Sequence, residues 1–209
     1  MNAEAQTFKT GTTTMGIICK DGVVLAAEKK ATMGYLIESK YAKKVYQLDD
    51  HIGLTIAGSV GDAQSFVRLL KAQFNLYKLE RGPITLRAAA TIASNILQGN
   101  KWFPYFNQFI LGGFDGRGPQ IYSIDMAGGY TETDKFYSTG SGSPYAYGVL
   151  EAEFKEGIST QDGVGLALKA AKAAIERDIG SGGKGFTVAI INADGYRELT
   201  ESEIKQYLK

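Results

Sequence analysis

Two residue types that carry much of enzyme chemistry are almost missing from this chain of 209 residues, which has one cysteine, Cys19, and one histidine, His51. A single cysteine excludes an internal disulfide and any metal cage built from several thiolates. A single histidine cannot supply a two-histidine zinc motif, and a Ser-His-Asp triad would have to use His51. If the protein is a hydrolase, we therefore expect its base to be something other than histidine.

An excess of charge of one sign and long apolar runs are also missing. Lysine and arginine number 23 against 22 aspartate and glutamate, a formal net charge of +1. This balance gives no footprint for nucleic acid or for an anionic membrane. No apolar run approaches the ~20 residues that cross a bilayer, and residues 1–11 lack the apolar segment of a secretory signal. We expect a soluble, cytoplasmic protein with no nucleic-acid or membrane partner.

The remaining sequence alternates groups of strand-like runs with pairs of helical ones. Strands are predicted at residues 14–19, 23–27, 44–48, 52–57, 107–111, 120–125 and 186–192, with hairpins across residues 20–22 and 128–129. Helices are predicted at residues 63–79, 86–97 and 160–178, in a segment led by Pro144, and from about residue 200 onward. Serine is available to cap the helix at Pro144, and Ser159 or Thr160 the next one. This order favours an α+β fold with antiparallel sheets over a doubly wound parallel sheet.

Two glycine-rich stretches resemble nucleotide-binding motifs but depart from them. In residues 180–185, Lys184 is followed by Gly185 instead of serine or threonine, and the first motif glycine would fall on Asp178. Residues 140–142 lack the third glycine of a dinucleotide fingerprint. We therefore predict no nucleotide site.

A run of three threonines, Thr12 to Thr14, follows Gly11 and opens the first predicted strand. Threonine favours strands, so the run by itself indicates only a strand start. Cleavage after Gly11, however, would give Thr12 a free α-amine beside its own hydroxyl. An α-amine has an ordinary pKa of ~7.7–8.0 and can act as the base that the histidine count leaves missing.

The threonine run is the first of six motifs that occur in one order along the chain. They are TGTTTMG (10–16), AAEKKAT (26–32), TIAGSVGDA (55–63), STGSGSP (138–144), YGVLE (147–151) and ERDIGSGG (176–183). From about residue 10 to its end, the chain resembles the archaeal-type proteasome β-subunits, which belong to the N-terminal-nucleophile hydrolases. The resemblance implies a four-layer αββα sandwich, in which two antiparallel sheets are flanked by helix pairs.

The resemblance also implies the roles of individual residues. Residues 1–11 would be a propeptide removed by autocatalytic cleavage at Gly11–Thr12, which leaves residues 12–209 as a single catalytic domain. The implied catalytic residues are Thr12 as nucleophile, Glu28 as acidic partner, Lys44, Gly58 as oxyanion donor, and Ser141, Asp178 and Ser181 around the threonine amine. Glu28 lies within the Asp/Glu variation of the family at its position.

The implied substrate site is largely apolar. Thr32 would contact the substrate backbone, and the primary pocket would be lined by Ala31, Ala42, Tyr46, Ile56, Val60 and Gln64. With no acidic group in this lining, we predict a chymotrypsin-like preference for large apolar residues before the cut. No metal or other cofactor is implied.

The partners implied are those of a proteasome. They are β-subunits in heptameric rings, α-subunits in adjoining heptameric rings (an α7β7β7α7 particle), an ATP-dependent unfoldase on the α-ring, and unfolded proteins as substrates. Two alternatives stay open: a β-subunit that fills a ring without turnover, and an N-terminal-nucleophile amidase acting on small molecules. The presence of Thr12 and Lys44 counts against the first, and the GTTT and SGSP motifs count against the second. A pure binding module is a further alternative.

Overall fold

A computed structural model describes residues 11–208, and the predicted propeptide residues 1–10 lie outside this range. The strands of the described part are β1 (Thr14–Cys19), β2 (Gly22–Glu28), β3 (Ala31–Met33), β4 (Leu36–Ser39), β5 (Val45–Asp49), β6 (Ile52–Gly58), β7 (Asn107–Asp115), β8 (Gly118–Ile124), β9 (Tyr130–Thr133), β10 (Phe136–Thr139), β11 (Phe186–Asn192) and β12 (Gly195–Glu198). The helices are α1 (Val60–Arg81), α2 (Leu86–Gly99), α3 (Ser143–Glu153), α4 (Thr160–Arg177) and α5 (Glu201–Tyr207).

The strands form two five-stranded sheets and one small hairpin. The first sheet has the order β10-β1-β2-β11-β12, the second has the order β5-β6-β7-β8-β9, and β3 pairs with β4 alone. Every pair is antiparallel. The prediction of an α+β fold with antiparallel sheets is therefore confirmed.

Three apolar clusters hold these elements together. One cluster joins the first sheet to α3, α4 and α5, with Met15, Val164 and Val188 among its buried residues. A second joins the second sheet to α1 and α2 through side chains such as Phe66 and Phe109. The third combines side chains of both sheets. Burial of apolar surface at ~25 cal/mol per Å² is the main stabilising contribution of such clusters.

The predicted helix cap before Pro144 is wrong. Helix α3 begins at Ser143, its N-cap is Gly142, and no side chain caps it. The nearby Ser141 hydroxyl instead donates to Asp178, at 2.6 Å. The cap of α4 is confirmed, because the Ser159 hydroxyl accepts a hydrogen bond from the Asp162 backbone at 3.1 Å.

Five strands, β3, β4, β9, β10 and β12, have four residues or fewer and pair with a neighbouring strand, and of these only β9 belongs to a predicted hairpin. β10 is four residues long and pairs with β1, with Thr139 opposite Thr14. Such a strand is too short for its own alternation pattern to be distinguished.

Among the described residues, no helix is both long enough and apolar enough to cross a membrane.

The pairing registers bring four predicted site residues to one edge of the molecule. Thr12 precedes β1 and Glu28 ends β2, and these strands are antiparallel neighbours with Thr14 opposite Ala27. Lys44 precedes β5 and Gly58 ends β6, which are also antiparallel neighbours. Because antiparallel strands place the start of one beside the end of the next, each sheet contributes two residues there.

Candidate active site

The carboxylate of Glu28 lies at the centre of this edge and is fully buried. Its Oε1 accepts hydrogen bonds from the Thr12 hydroxyl at 3.1 Å and from the Thr13 backbone N–H at 3.0 Å. The same oxygen forms an ion pair with Nζ of Lys44. One carboxylate oxygen therefore joins the threonine hydroxyl to the lysine.

The second oxygen of Glu28 is held by the backbone. Oε2 accepts from the N–H of Lys30 at 2.7 Å and from the N–H of Gly182 at 3.0 Å. Both oxygens of this buried carboxylate therefore have hydrogen-bond donors, and its rotamer is fixed by partners on separate segments.

The lysine is also withdrawn from water, with Lys44 only 7% exposed. Burial lowers the pKa of Lys44 from its ordinary value, and Glu28 opposes this shift through its charge and its hydrogen bond. An ammonium in this position favours negative charge on a neighbouring oxygen, because Coulombic attraction is stronger away from bulk water. Lys44 and the Thr12 hydroxyl are such neighbours, since both contact Oε1 of Glu28.

A separate chain of hydrogen bonds begins at the backbone nitrogen of Thr12. This N–H donates to the Ser141 hydroxyl at 3.1 Å, and Ser141 donates to Oδ2 of Asp178 at 2.6 Å. The Ser181 hydroxyl donates to the same Oδ2 at 2.6 Å and lies 2.6 Å from the Thr13 hydroxyl. Asp178 thus orients Ser141 so that an oxygen lone pair faces the nitrogen of Thr12.

Gly11, which precedes the threonine, lies directly against the backbone of Gly180. Its N–H donates to the Thr32 hydroxyl at 3.0 Å. A Cβ on Gly11 would overlap the Cα of Gly180, so this close approach requires glycine. A Cβ on Gly180 would likewise overlap the Cα of Gly11, and one on Gly183 would overlap the backbone of Lys29, so two glycines of this stretch are explained by close backbone contacts.

Gly58 has a backbone conformation that residues other than glycine rarely adopt. Its φ is +142°, and a Cβ there would overlap the carbonyl oxygen of Phe106. Glycine is favoured at such a position because it lacks the Cβ. Gly58 lies on the wall of a cleft that also contains Thr12.

The cleft is lined mainly by small and apolar side chains together with lysines. Its lining residues are Gly11, Thr12, Lys30, Ala31, Thr32, Ala42, Lys43, Lys44, Tyr46, Ile56, Gly58, Val60 and Ala63. No carboxylate is among these described residues. The Tyr46 hydroxyl donates to the Lys43 carbonyl at 2.8 Å, which fixes the ring.

Comparison with known proteins identifies the family of the chain. A family model described as "Proteasome subunit" matches residues 8–191 of the chain.

The chain belongs to the proteasome subunit family, among the archaeal-type β-subunits.

Similar relatives cover nearly the whole length. "Proteasome subunit beta" of Methanoregula boonei is 49% identical over 209 residues, which is 100% of this chain and 98% of the relative. "Proteasome subunit beta" of Methanocaldococcus vulcanius is 52% identical over 200 residues, or 95% of this chain and 89% of the relative. "Proteasome subunit beta 1" of Thermococcus sibiricus is 50% identical over 200 residues, or 95% of each chain.

The structure of this proteasome-family chain brings together all seven residues that the sequence assigned to catalysis. Thr12, Glu28 and Lys44 share one oxygen, while Ser141, Asp178 and Ser181 share another. Gly58 lies on the cleft beside Thr12. Their roles in catalysis stay predictions.

The predicted substrate pocket differs at one residue. Ala31, Thr32, Ala42, Tyr46, Ile56 and Val60 line the cleft. Gln64 is exposed on α1 and is not among the lining residues, where its neighbour Ala63 takes a place. Because successive helical residues are ~100° apart, only one of these two neighbours faces the cleft.

Sequence reasoning missed the contributions of Thr13 and of two backbone groups, the N–H of Lys30 and of Gly182. Thr13 belongs to the first motif, but because threonine favours strands, its presence there indicated nothing beyond strand formation. A backbone N–H is present at almost every residue, so its use leaves no signal in the sequence.

Proposed function

We propose that this chain is a catalytic β-subunit of the 20S proteasome core, a threonine endopeptidase that degrades unfolded proteins to peptides. The observation that supports this most directly is the environment of Thr12. Its hydroxyl contacts the Glu28–Lys44 pair, and its nitrogen contacts Ser141, which Asp178 orients. One residue therefore carries both a hydroxyl nucleophile and a latent amine base, and each of these groups has its own hydrogen-bond partners.

The first reaction is cleavage of the chain's own Gly11–Thr12 bond, which makes the full-length chain a zymogen. The Thr12 hydroxyl attacks the Gly11 carbonyl, and the Thr12 nitrogen leaves as a free amine. Water then hydrolyses the ester between Gly11 and the Thr12 oxygen. The amide N–H that donates to Ser141 becomes an α-amine at the same place. With one N–H donated to Ser141, a neutral amine keeps its lone pair for the hydroxyl proton.

The second reaction is hydrolysis of a substrate peptide. The α-amine takes the proton of the Thr12 hydroxyl as its oxygen bonds to the substrate carbonyl carbon, while Lys44 stabilises developing negative charge. The N–H of Gly58 donates to the oxyanion, a contribution typically worth ~2.7–4 kcal/mol in the transition state. The protonated amine gives its proton to the leaving nitrogen. Water then cleaves the acyl ester and regenerates Thr12.

The cleft supports a preference for large apolar residues before the cut. Ala31, Ala42, Ile56 and Val60 present methyl groups, and the described lining contains lysines but no carboxylate. A basic substrate side chain would meet like charge from Lys30 and Lys43 and find no partner. The protein should therefore cleave after tyrosine or leucine faster than after arginine.

Assembly completes the proposal. Its relatives bear the name proteasome subunit beta, which supports assembly with other subunits in a core particle. We infer β-subunits in heptameric rings, α-subunits in adjoining rings, an ATP-dependent unfoldase on the α-ring and a cytoplasmic location. The two sheets, each packed against its own helices, support the four-layer αββα arrangement of residues 12–209. The proposed reaction needs no cofactor.

The decisive experiment is intact-mass analysis of the chain before and after assembly with its α-subunit partner. Loss of the mass of residues 1–11, followed by hydrolysis of a fluorogenic peptide ending in tyrosine or leucine, is the expected result. A full-length chain in assembled rings would instead indicate a non-catalytic β-subunit. Activity on small amides by a chain that forms no ring would indicate a small-molecule amidase.

A further inference from the structure

The proposed catalytic groups are divided between the two sheets. Thr12 and Glu28 lie at the ends of β1 and β2, whereas Lys44 and Gly58 lie at the ends of β5 and β6. The distance from the Thr12 hydroxyl to the Gly58 N–H therefore depends on how one sheet is held against the other. Displacements of ~1 Å at a catalytic centre cost as much as 100-fold in rate.

Most of the layer between the sheets is apolar. Its buried side chains include Val23, Leu25, Val45, Ile110, Ile121 and Ile191. The hydrophobic attraction is non-directional, so these contacts oppose small sliding movements only through the fit of the side-chain shapes. A directional contact within the layer constrains them more strongly.

Such a contact exists between Thr14 on β1 and Thr55 on β6. Their hydroxyl oxygens are 2.9 Å apart, and both residues have no exposed surface. Thr14 is two residues from Thr12, and Thr55 is three residues from Gly58. At ~3.3 Å per strand residue, the bond lies within about 10 Å of each group along its strand.

The Thr14 hydroxyl has a second partner within its own sheet. The Thr139 hydroxyl lies 2.7 Å from that of Thr14, on the neighbouring strand of the same sheet. β1 and β10 are already paired through their backbones, with Thr14 opposite Thr139. The Thr14–Thr139 bond therefore adds little to the relation between strands, whereas the Thr14–Thr55 bond joins two sheets.

We propose that Thr55 is a positioning residue for the proposed hydrolysis. Through its hydrogen bond to Thr14 it fixes the first sheet against the second, so that the Gly58 N–H faces the oxyanion formed when Thr12 attacks. Thr55 touches neither substrate nor the reacting atoms. This proposal rests on the proposed function of Thr12 and Gly58.

The test compares three variants in the assembled complex. Thr55→Val removes the bond between the sheets with little change of shape, Thr139→Val removes the bond within one sheet, and Thr55→Ser keeps the hydroxyl. Each is assayed for kcat and KM on the same fluorogenic peptide, for the fraction of chain cleaved at Gly11–Thr12, and for its thermal midpoint. We expect Thr55→Val to lower kcat about tenfold with KM unchanged, and Thr55→Ser to recover most of that loss.

Thr139→Val provides the matched control, because it removes one buried hydroxyl bond from the same Thr14. We expect it to lower the thermal midpoint by a similar amount to Thr55→Val but to leave kcat near the wild-type value. Equal losses of kcat in both valine variants would show a general structural effect and overturn the proposal, as would a Thr55→Val variant with wild-type kcat. Failure of the proposed function is distinguished by the wild type, which would then neither lose residues 1–11 nor hydrolyse the peptide.

Discussion

The ammonium of Lys44 is paired with the carboxylate of Glu28 where both side chains are almost completely removed from solvent. Removal of two charges from water costs several kcal/mol per ion, so a buried pair is weak evidence for stability. Its contact with the Thr12 hydroxyl instead fits the catalytic role proposed for Lys44. Buried charges of this kind cluster at functional sites, and the Lys44–Glu28 pair lies beside the proposed nucleophile.

Replacement of Lys44 by methionine should abolish both cleavage at Gly11–Thr12 and peptide hydrolysis. The variant would leave the buried Glu28 carboxylate without its cation, and loss of one partner of a buried pair typically costs ~3–5 kcal/mol of stability. Denaturant unfolding and intact mass measure the two effects. The control is Lys71→Met at an exposed position of α1, which should change stability by less than ~0.5 kcal/mol. Normal processing in Lys44→Met would contradict the proposed role.

Two replacements of Thr12 should distinguish the contribution of its hydroxyl from that of its methyl group. Thr12→Ala removes the nucleophile and should leave the Gly11–Thr12 bond intact with no peptidase activity. Thr12→Ser keeps a hydroxyl beside the same nitrogen and should remain processed and active, at a lower rate because serine has more rotamer freedom than threonine. Mass spectrometry and peptidase assays of both variants decide the matter, and substantial hydrolysis by Thr12→Ala would exclude Thr12 as nucleophile.

An alanine at Gly58 should disrupt the proposed oxyanion site. The backbone there has φ of +142°, and the added Cβ would overlap the Phe106 carbonyl. We expect at least a 100-fold loss of kcat, as when an oxyanion donor is lost (~10²–10³). Gly61 on α1 provides the control, because a Cβ there meets nothing within 4 Å. Gly61→Ala should be fully active and at least as stable as the wild type, because alanine restricts the unfolded chain more than glycine does. A Gly58→Ala variant as active as Gly61→Ala would rule out the proposed donor.

The only cysteine should be chemically inert in the folded protein. Cys19 is buried, and its pKa is raised to about 12, mainly by burial and to a smaller extent by the nearby charges of Asp21 and Asp162. A raised pKa keeps the thiol protonated, so at pH 8 only about one molecule in 10⁴ would carry the reactive thiolate. Iodoacetamide should leave the native protein unlabelled and should label it in guanidinium, where the pKa returns to ~8.5. Loss of peptidase activity with rapid native labelling would indicate a thiol-dependent site instead.

The strand and helix pattern was predictable over most of the chain because local periodicity reports which face is buried. The prediction for residues 186–192 agrees with β11, and that for residues 14–19 agrees with β1. The predicted helix at 63–79 is longer in the structure, Val60–Arg81, because Ser59 caps it earlier through the Asp62 backbone. The short strands β3, β4, β10 and β12 were not predicted, since three or four residues give no reliable period.

The candidate site, too, was only partly predictable from the sequence. Its residue types were identifiable from motifs, and Thr12, Glu28 and Lys44 do meet. The motifs did not reveal that helix α3 has no side-chain cap, or that the Ser141 hydroxyl donates to Asp178. Nor did they place Gln64 on the exposed surface, because one helical position decides whether a side chain faces the cleft.

The sequence by itself determined the chemistry available to this protein. One histidine and one cysteine limited the bases and thiols, and a threonine run after Gly11 offered a hydroxyl with a latent amine. Only the tertiary structure decided which groups contact Thr12. Its nitrogen bonds a hydroxyl 129 residues away, and Glu28 is held by a backbone N–H 154 residues away. Contacts of that separation arise when two sheets and their helices bury their apolar faces together, and no local pattern encodes them.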